Sequence, residues 1–416
     1  MKYSGVAWIG EIPDHWHLIR LKDKWRSVKE IAGEDSAEYD RLALTMNGVI
    51  QRPKDDSDGL QPKEFDGYQI LRENDFVFKM IDLQNVSTSR VGLSTYTGLV
   101  SPAYIRFAPK RKEQYCKYTY YYLMSMYYNC VFNSLGGDGV RSALNAADMG
   151  TLLIPYPDEE TQKRIVARIE KRVAAIDALI ANQEKQVEKL KQYKQALITE
   201  TVTKGLDPTV PMKDSGVEWI GMIPASWEVS RFKNIMRREK RICEKRDNES
   251  ILSLTMNGVI IRDLDNPVGK MPSSFDGYQF VEPGDLLLCL FDIDVTPRCT
   301  GLVTQYGITS PAYSRYKMRQ GFFNAFYNYF LTSIDDRKIF VHLSKNLRSS
   351  LSDEHFGAIA ALVPSYQEQK AIVGFLDRKC EQIDQLIETK TQKIEKLNQY
   401  KKSLIYEYVT GKKEVV

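Results

Sequence analysis

The chain is poor in the residues and motifs that carry catalysis. Only four histidines occur among 416 residues, His15, His17, His342 and His355, a weak basis for imidazole chemistry. Six cysteines, Cys116, Cys130, Cys243, Cys289, Cys299 and Cys380, are scattered, with no CxxC pair and no histidine at ligand spacing. That pattern argues against zinc and is expected of reduced structural thiols in a cytoplasmic protein. No apolar run approaches the length of a bilayer, and the N-terminus, MKYSGVAWIGEIPDHW, has no apolar h-region, so a cytoplasmic chain without a membrane partner is expected. Gly269-Lys270 and Gly411-Lys412 lack the rest of a Walker A loop. There is no GxGxxG turn, and no Pro-Pro tetrapeptide of the kind that marks amino-group DNA methyltransferases. The net charge of +4 permits a nucleic-acid partner without arguing for one, because any basic surface has to be local.

What the chain does have is a duplication. SGVAWIGEIPDHW from Ser4 returns as SGVEWIGMIPASW from Ser215. LALTMNGVIQR from Leu42 returns as LSLTMNGVIIR from Leu252. FDGYQ at Phe65 recurs at Phe275, and SPAYIR at Ser101 recurs as SPAYSR at Ser310. The displacement stays near ~210 residues throughout, which means collinear duplication with small loop deletions. None of the four histidines is duplicated. Each half opens with short β-branched and apolar runs broken by Gly, Asn, Asp and Pro, such as LALTMNGVI, DFVFKMI and LVSPAYIRF. A helical portion follows, around Tyr115 to Phe132 and from Phe322 to Thr332. The mixture predicts an α+β domain in each half.

Two long helices complete the pattern, Asp158 to Lys204 and Ser365 to Thr410. In the first, Ile169, Val173, Ile176, Ile180, Gln183, Val187, Leu190, Lys194 and Leu197 recur at alternating steps of four and three. In the second, Leu376, Cys380, Ile383, Ile387, Lys390, Ile394, Leu397, Lys401, Leu404 and Tyr408 do the same. Such a heptad seam needs a partner helix, and each is the obvious partner of the other. Gln183 and Lys194, matched by Lys390 and Lys401, are polar seam positions of the kind that fix register. Ser365 with Glu368 forms a capping box. Asp158, Glu159 and Glu160 place acid on the first turn of the other helix, and Gly205 and Gly411 end the two. About 45 residues at about 1.5 Å each make a rod of roughly 70 Å. The GVxWIGxIPxxW segment follows the first helix in the second copy but opens the chain in the first. Its counterpart helix for the first copy is therefore the last one. The layout is a ring cut open, with a pseudo-twofold axis between two antiparallel helices.

Candidate site residues are polar pairs and divergent loops. Asp66/Asp276 and Asp75/Asp285 read as turn residues. Asp82/Asp292 are open to a polar role, although one carboxylate per domain makes no nuclease. Arg20/Arg231, Arg52/Arg262, Arg106/Arg315 and Arg141/Arg348 suit phosphate contacts or solvated faces, as does the basic run RFKNIMRREKRICEKR from Arg231. Asn47 and Asn257 sit in the repeated TMNG. Between the shared blocks the halves diverge. There Gln84, Asn85, Thr88, Ser89 and Arg90, or Asp294, Thr296 and Arg298, carry groups suited to base edges, and the same divergence is expected of unconstrained surface loops. Tyr115, Tyr118, Tyr121, Tyr122 and Tyr128 could stack on bases, but Tyr118, Tyr121 and Tyr122 align with Phe326, Tyr329 and Phe330 at helical spacing, which favours core packing.

Trp8-Ile9-Gly10, Ile12-Pro13 and Trp16, repeated as Trp219-Ile220-Gly221, Ile223-Pro224 and Trp227, resemble the specificity subunit of type I restriction–modification systems. So do the helix openings Gln162 to Val166 and Gln369 to Val373, with Ile176-Asp177 and Ile383-Asp384 downstream. The resemblance covers essentially the whole chain. It implies two target recognition domains, Lys22–Pro157 and Lys233–Pro364, each reading one half of a bipartite duplex DNA target. The corresponding segments are 1–157, with a shared stretch 1–21; a spacer helix, 158–205; 206–364, with a shared stretch 212–232; and a second helix and tail, 365–416. The helices would fix the unread spacer, roughly one DNA turn between half-site centres, and help dock the partners. It further implies a chain without catalysis or cofactor of its own. Two methyltransferase subunits would bind S-adenosylmethionine, and two restriction subunits would use ATP and Mg. The residues leave open a recognition subunit serving a fused type II nuclease–methyltransferase, and a coiled-coil scaffold unrelated to DNA.

Overall fold

The computed structural model describes residues 1–46, 48–56, 64–81, 83, 90–135, 143–266, 272, 274–344 and 349–414. The chain divides into two compact units, one made of Met1–Gln183 with Gln392–Val416, the other of Glu184–Thr391. Each unit therefore takes part of both long helices, where the sequence suggests whole helices as segments of their own. The helices run Glu159–Lys204 and Tyr366–Val409.

In the first unit, a four-stranded sheet orders Gly48–Arg52, Arg41–Thr45, Gly98–Val100 and Gln69–Leu71 side by side. A second sheet orders Trp25–Val28, Ile105–Pro109, Phe76–Phe78 and Val91–Leu93. In the first sheet only the pairing of Gly98–Val100 with Arg41–Thr45 is parallel; the others are antiparallel. The short strands are apolar on both faces where they are sandwiched: Phe76, Val77 and Phe78 are all fully buried. Gly92 sits where the two sheets approach, and a Cβ there would lie 2.7 Å from both Leu44 and Val49, which explains the glycine. The helix Lys117–Tyr128 buries Tyr118 and Tyr122. Their hydroxyls reach backbone carbonyls inside the core, Tyr118 to Pro155 and Val409 at 2.8 Å each and Tyr122 to Leu153 at 2.9 Å. These tyrosines are core residues, as their exchange with phenylalanine in the repeat suggests.

The second unit repeats the plan. Ile242–Cys243, Tyr278–Val281, Gly307–Thr309, Ile251–Thr255 and Gly258–Ile261 form a five-stranded sheet, and Met236–Arg238, Ser314–Met318, Leu286–Leu288 and Thr300–Leu302 a four-stranded one. The extra edge strand has a rudimentary equivalent in the first unit, a single bridge between Ile31 and Gln69. Gly301 occupies the place of Gly92, with Leu254 at 2.6 Å and Val259 at 2.8 Å from a Cβ built there. Helix Asn324–Asp336 buries Phe326, Tyr327 and Phe330, with Phe326 and Phe330 stacked at 6.5 Å.

The helix ends are built as the sequence indicates. The Asp158 carboxylate accepts from the Thr161 backbone N–H at 2.8 Å and its hydroxyl at 2.7 Å. Ser365 and Glu368 exchange hydrogen bonds at 3.0 and 3.3 Å. Gly205 and Gly411 take φ of +78° and +72°, the left-handed close of a helix. In the first unit Ile165, Val166, Ile169 and Ile176 share a core with Leu404, Ile405, Tyr408 and Val409, with Val173, Ile180 and Leu397 half-buried beside it. In the second, Ile198 and Val202 share a core with Ile372, Val373, Leu376 and Cys380, with Leu197 beside it. Ile383 is also buried, and Val187, Leu190, Ile387 and Ile394 are half-buried. In each unit the two helix segments run antiparallel. Lys401 donates to Asp177 at 2.6 Å in the first; Lys194 donates to Asp384 at 2.6 Å and Lys390 to Gln186 at 2.5 Å in the second. Lys401 and Lys194 thus meet the aspartates of the repeated Ile-Asp pair, while Lys390 meets a glutamine.

The expected association of the N-terminal segment with the last helix holds within the first unit. Tyr406 donates to the Ile9 carbonyl at 3.2 Å, and a Cβ on Gly411 would lie 2.4 Å from Pro13 and 3.1 Å from Trp16. In the second unit Trp227 packs 3.3 Å from the same position on Gly205 and donates from its indole nitrogen to Glu368 at 3.2 Å. Trp16 and Trp227 each close the end of one long helix; a Cβ on Gly411 would be driven into Pro13, and one on Gly205 would press on the Trp227 ring.

Candidate nucleic-acid interface

The repeated surface motifs build one small structure in each unit. In the second, Ile251–Thr255 turns back into Gly258–Ile261 across Met256 and Asn257. The Thr255 hydroxyl donates to the Gly258 carbonyl at 3.0 Å, and Gly258 takes φ +89°. Thr45 and Gly48 make the same bond at 3.0 Å. Gln279, fully buried, donates through one amide nitrogen to the carbonyls of Ser310 at 2.9 Å and Tyr313 at 2.6 Å. Gln69 does likewise to Ser101 at 3.0 Å and Tyr104 at 2.7 Å. The glutamine of FDGYQ is therefore a clamp on the SPAY turn. This fixes the tyrosine before it, Tyr278 or Tyr68, against the tyrosine of the turn, Tyr313 or Tyr104. In the second unit Ser253, Arg262, Tyr278, Ser310 and Tyr313 border a recess of about 370 Å³. Burial raises the Tyr313 hydroxyl above its ordinary pKa, with Arg262 acting the other way. Burial also raises Tyr104, aided by Tyr68 and opposed by Arg41.

The arginine pairs expected at the interface separate into three groups. Arg20 and Arg231 are exposed at strand ends. Arg52 is half-buried and ion-paired to Asp56 at 3.6 Å, while Arg262 borders the recess. Arg106 and Arg315 correct the sequence reading: both are core residues. Arg106 donates to Asp75 at 2.5 Å and to Glu30 at 3.1 Å, and also bonds the Ile70 carbonyl. Arg315 donates to Asp285 at 2.6 Å and the Phe280 carbonyl at 3.0 Å, with Glu282 at 3.4 Å. At 4% and 2% exposure, neither guanidinium can reach a phosphate. The aspartates do more than turn the chain. Asp75 also caps the Arg72 N–H, and Asp285 the Glu282 N–H. Burial pushes both carboxyls above the usual range, against the pull of those N–H groups and the arginines. Arg72, then Arg106, holds Glu30 below its ordinary value; Lys317 does the same for Glu282, joined by Arg315.

The divergent loops yield two further corrections. Arg90 is buried, so the base-edge role expected for it is withdrawn. Arg298 is ion-paired to Asp336 at 2.7 Å and Asp335 at 3.4 Å, which ties its loop to the neighbouring helix. Asp294 is exposed and Thr296 half-buried, its hydroxyl donating to the Asp292 carbonyl at 2.8 Å. Asp292 itself takes φ +47°, a conformation aspartate tolerates in a turn. Asn257 is exposed at the hairpin tip. Asn47, Asp82, Gln84, Asn85, Thr88, Ser89, Arg141 and Arg348 lie outside the described residues. Within the basic run after Arg231, Arg237 pairs with Glu239, Arg238 with Asp353 and Arg241 with Glu282. Tyr278 and Tyr313, which border the recess, are not among the candidates drawn from the sequence. The signal that could have found them is that FDGYQ and SPAY both recur with the tyrosine intact.

The family model of the type I restriction modification DNA specificity domain matches residues 27–189. A putative type I restriction enzyme MjaX specificity subunit of Methanocaldococcus jannaschii is 23% identical over 432 residues, covering 97% of this chain and 95% of that protein. A chain from a structure of complex assembly and conformational transition in the type I R-M system shares the fold, with a TM-score of 0.66, 14% identity and coverage of 96% and 98%. The HsdS subunit of Thermoanaerobacter tengcongensis aligns at a TM-score of 0.48 and 14% identity, over 99% of this chain and 100% of that one. Among the described residues no helix is long and apolar enough to cross a membrane.

Proposed function

We propose that this chain, similar over residues 27–189 to the type I restriction modification DNA specificity domain and along 97% of its length to a type I specificity subunit, supplies the sequence specificity of a type I restriction–modification complex. The recognition domains Lys22–Pro157 and Lys233–Pro364 each bind one half of a bipartite duplex target. The observation that carries this reading is that one β-rich framework is built twice, with its clamps and turns retained and its intervening loops changed. Two half-sites of different sequence call for that division, since a shared scaffold positions and divergent loops discriminate. The long helices set the spacing between half-sites and dock two methyltransferase subunits, which carry S-adenosylmethionine and methylate adenine. Two restriction subunits, using ATP and Mg, join for cleavage. The chain contributes recognition and no catalysis, and works in the cytoplasm.

Long-read detection of methylated adenine, in a host expressing this chain with its methyltransferase, tests the reading. The expected product is one motif of two unlike half-sites around a constant spacer, absent when this chain is deleted. Exchanging Lys22–Pro157 for another recognition domain should change one half-site alone. Methylation that is indifferent to this chain, or a motif without a gap, would sink the proposal.

A further inference from the structure

The divergent loop of the second unit, between Cys289 and Cys299, is held in shape from several sides. Thr296 folds the segment on itself, its N–H donating to the Asp292 carbonyl at 2.9 Å and its hydroxyl to the same carbonyl at 2.8 Å. Ile293 is buried and donates its N–H to the Ser349 carbonyl at 3.1 Å. Asp335 fixes the returning end. It accepts from the Cys299 N–H at 2.9 Å and pairs with Arg298 at 3.4 Å, while Asp336 takes the same guanidinium at 2.7 Å. What this frame leaves exposed is Phe291, Asp294 and Val295.

The tie is made against local preference. Asp335 and Asp336 stand in the last turn of the helix Asn324–Asp336, where the helix dipole disfavours acid. Asp335 is 2% exposed, and among the described residues nothing hydrogen-bonds its Oδ1, a desolvation cost that native interiors mostly avoid. The first unit builds the same strands without either acid. There Lys79 donates to the Arg90 carbonyl at 3.0 Å as Cys289 does to Cys299 at 2.8 Å, and Tyr127 and Tyr128 occupy the equivalent helix positions. A cost that the shared fold does not require points to function.

We propose that Asp335 is a positioning residue for the second half-site. Through Arg298 and the Cys299 N–H it keeps loop 291–298 in a preformed base-reading shape, with Asp294 offering its carboxylate to a base amino group. This rests on the DNA-specificity reading and moves Thr296 and Arg298 from contacting bases to shaping the loop that does. A loop already ordered loses little freedom on binding, and a mismatched base meets a surface that does not adapt to it.

The test is long-read mapping of adenine methylation by the full chain in its methyltransferase complex, on a plasmid library that varies each base pair of both half-sites singly. Exchange of Lys22–Pro157 identifies which half-site belongs to the second unit. Asp335→Asn and Arg298→Met should each lower discrimination against single mismatches in that half-site by roughly tenfold, with the other half-site and the spacer unchanged. Arg298→Lys, which keeps the charge, should retain part of what Arg298→Met loses. Should Asp335→Asn not fold, as judged by its melt, Arg298→Met decides, and Arg298→Lys after it. Folded variants with wild-type discrimination in the second half-site, or with equal losses in both, overturn the positioning role. A wild-type complex that methylates no bipartite motif overturns the DNA reading itself.

Discussion

Asp285→Ala offers the sharpest test of the reassignment of Arg315 from interface to core. The substitution removes the acceptor 2.6 Å from the Arg315 Nε and leaves a guanidinium that is 2% exposed. It also frees the Glu282 N–H, bonded to the same carboxylate at 2.7 Å. Breaking a buried pair from one side costs about 3–5 kcal/mol, and the orphaned N–H about 1–3 more if it stays dry. Against a stability of about 5–15 kcal/mol for a domain, the second unit should be close to unfolding. Urea titration of the full chain with hydrogen-exchange mass spectrometry should show the loss within Glu184–Thr391 and leave the first unit protected. The double variant Asp285→Ala/Arg315→Met should recover a large part, because no charge is left buried without a counterion. Under conditions where it is folded, its DNA salt slope should match the wild type. A loss below about 1 kcal/mol for the single variant, strict additivity in the double, or a slope lowered by about 1 would refute the core assignment.

Leu376→Ala, in the buried seam of the last helix, should cost about 2–5 kcal/mol in the second unit, read as a shifted denaturation midpoint; a shift confined to the first unit contradicts the pairing described. Gly301→Ala drives a methyl to within 2.6 Å of Leu254 and should cost about 1–3 kcal/mol, whereas Gly216→Ala, with open space around it, meets no neighbour and is limited to backbone strain of about 1 kcal/mol; equal melts for both would tell against the sheet contact. Asp158→Ala should remove about 1 kcal/mol near neutral pH. The Thr161 N–H and hydroxyl lower the Asp158 pKa, so its contribution is present above the unfolded carboxylate value near ~3.9 and fades as pH falls through the folded one. The wild-type advantage, measured by urea midpoints, should therefore shrink in acid; one that grows there reverses the sign.

The helices were legible because their determinants are local. Ser365 and Glu368 are three residues apart, the seam steps by three and four, and the glycines stand where a helix must stop. The repeat was legible because its blocks are strings. What could not be read was any property created by strands from distant parts of the chain. Arg106 meets Asp75 only because Ile105–Pro109 pairs with Phe76–Phe78, and an arginine in a strand reads the same whether it faces solvent or a buried carboxylate. Tyr278 and Tyr313 become neighbours through a glutamine that clamps a turn 31 and 34 residues away. Arg298 and Arg90 belong to loops whose divergence is the same whether they read bases or seal a core.

The first unit is discontinuous, needing Gln392–Val416, whereas the second is one unbroken stretch, Glu184–Thr391. On the ribosome this reverses the usual order, in which the N-terminal part folds first. Val409 accepts the Tyr118 hydroxyl, and Leu404, Ile405 and Tyr408 complete the core around Ile169. All of these are made after the second unit is complete, so the earlier-made unit waits for them while the later-made one closes ahead of it. A nick in the turns after Gln392 should thus cripple the recognition domain Lys22–Pro157 and spare Lys233–Pro364.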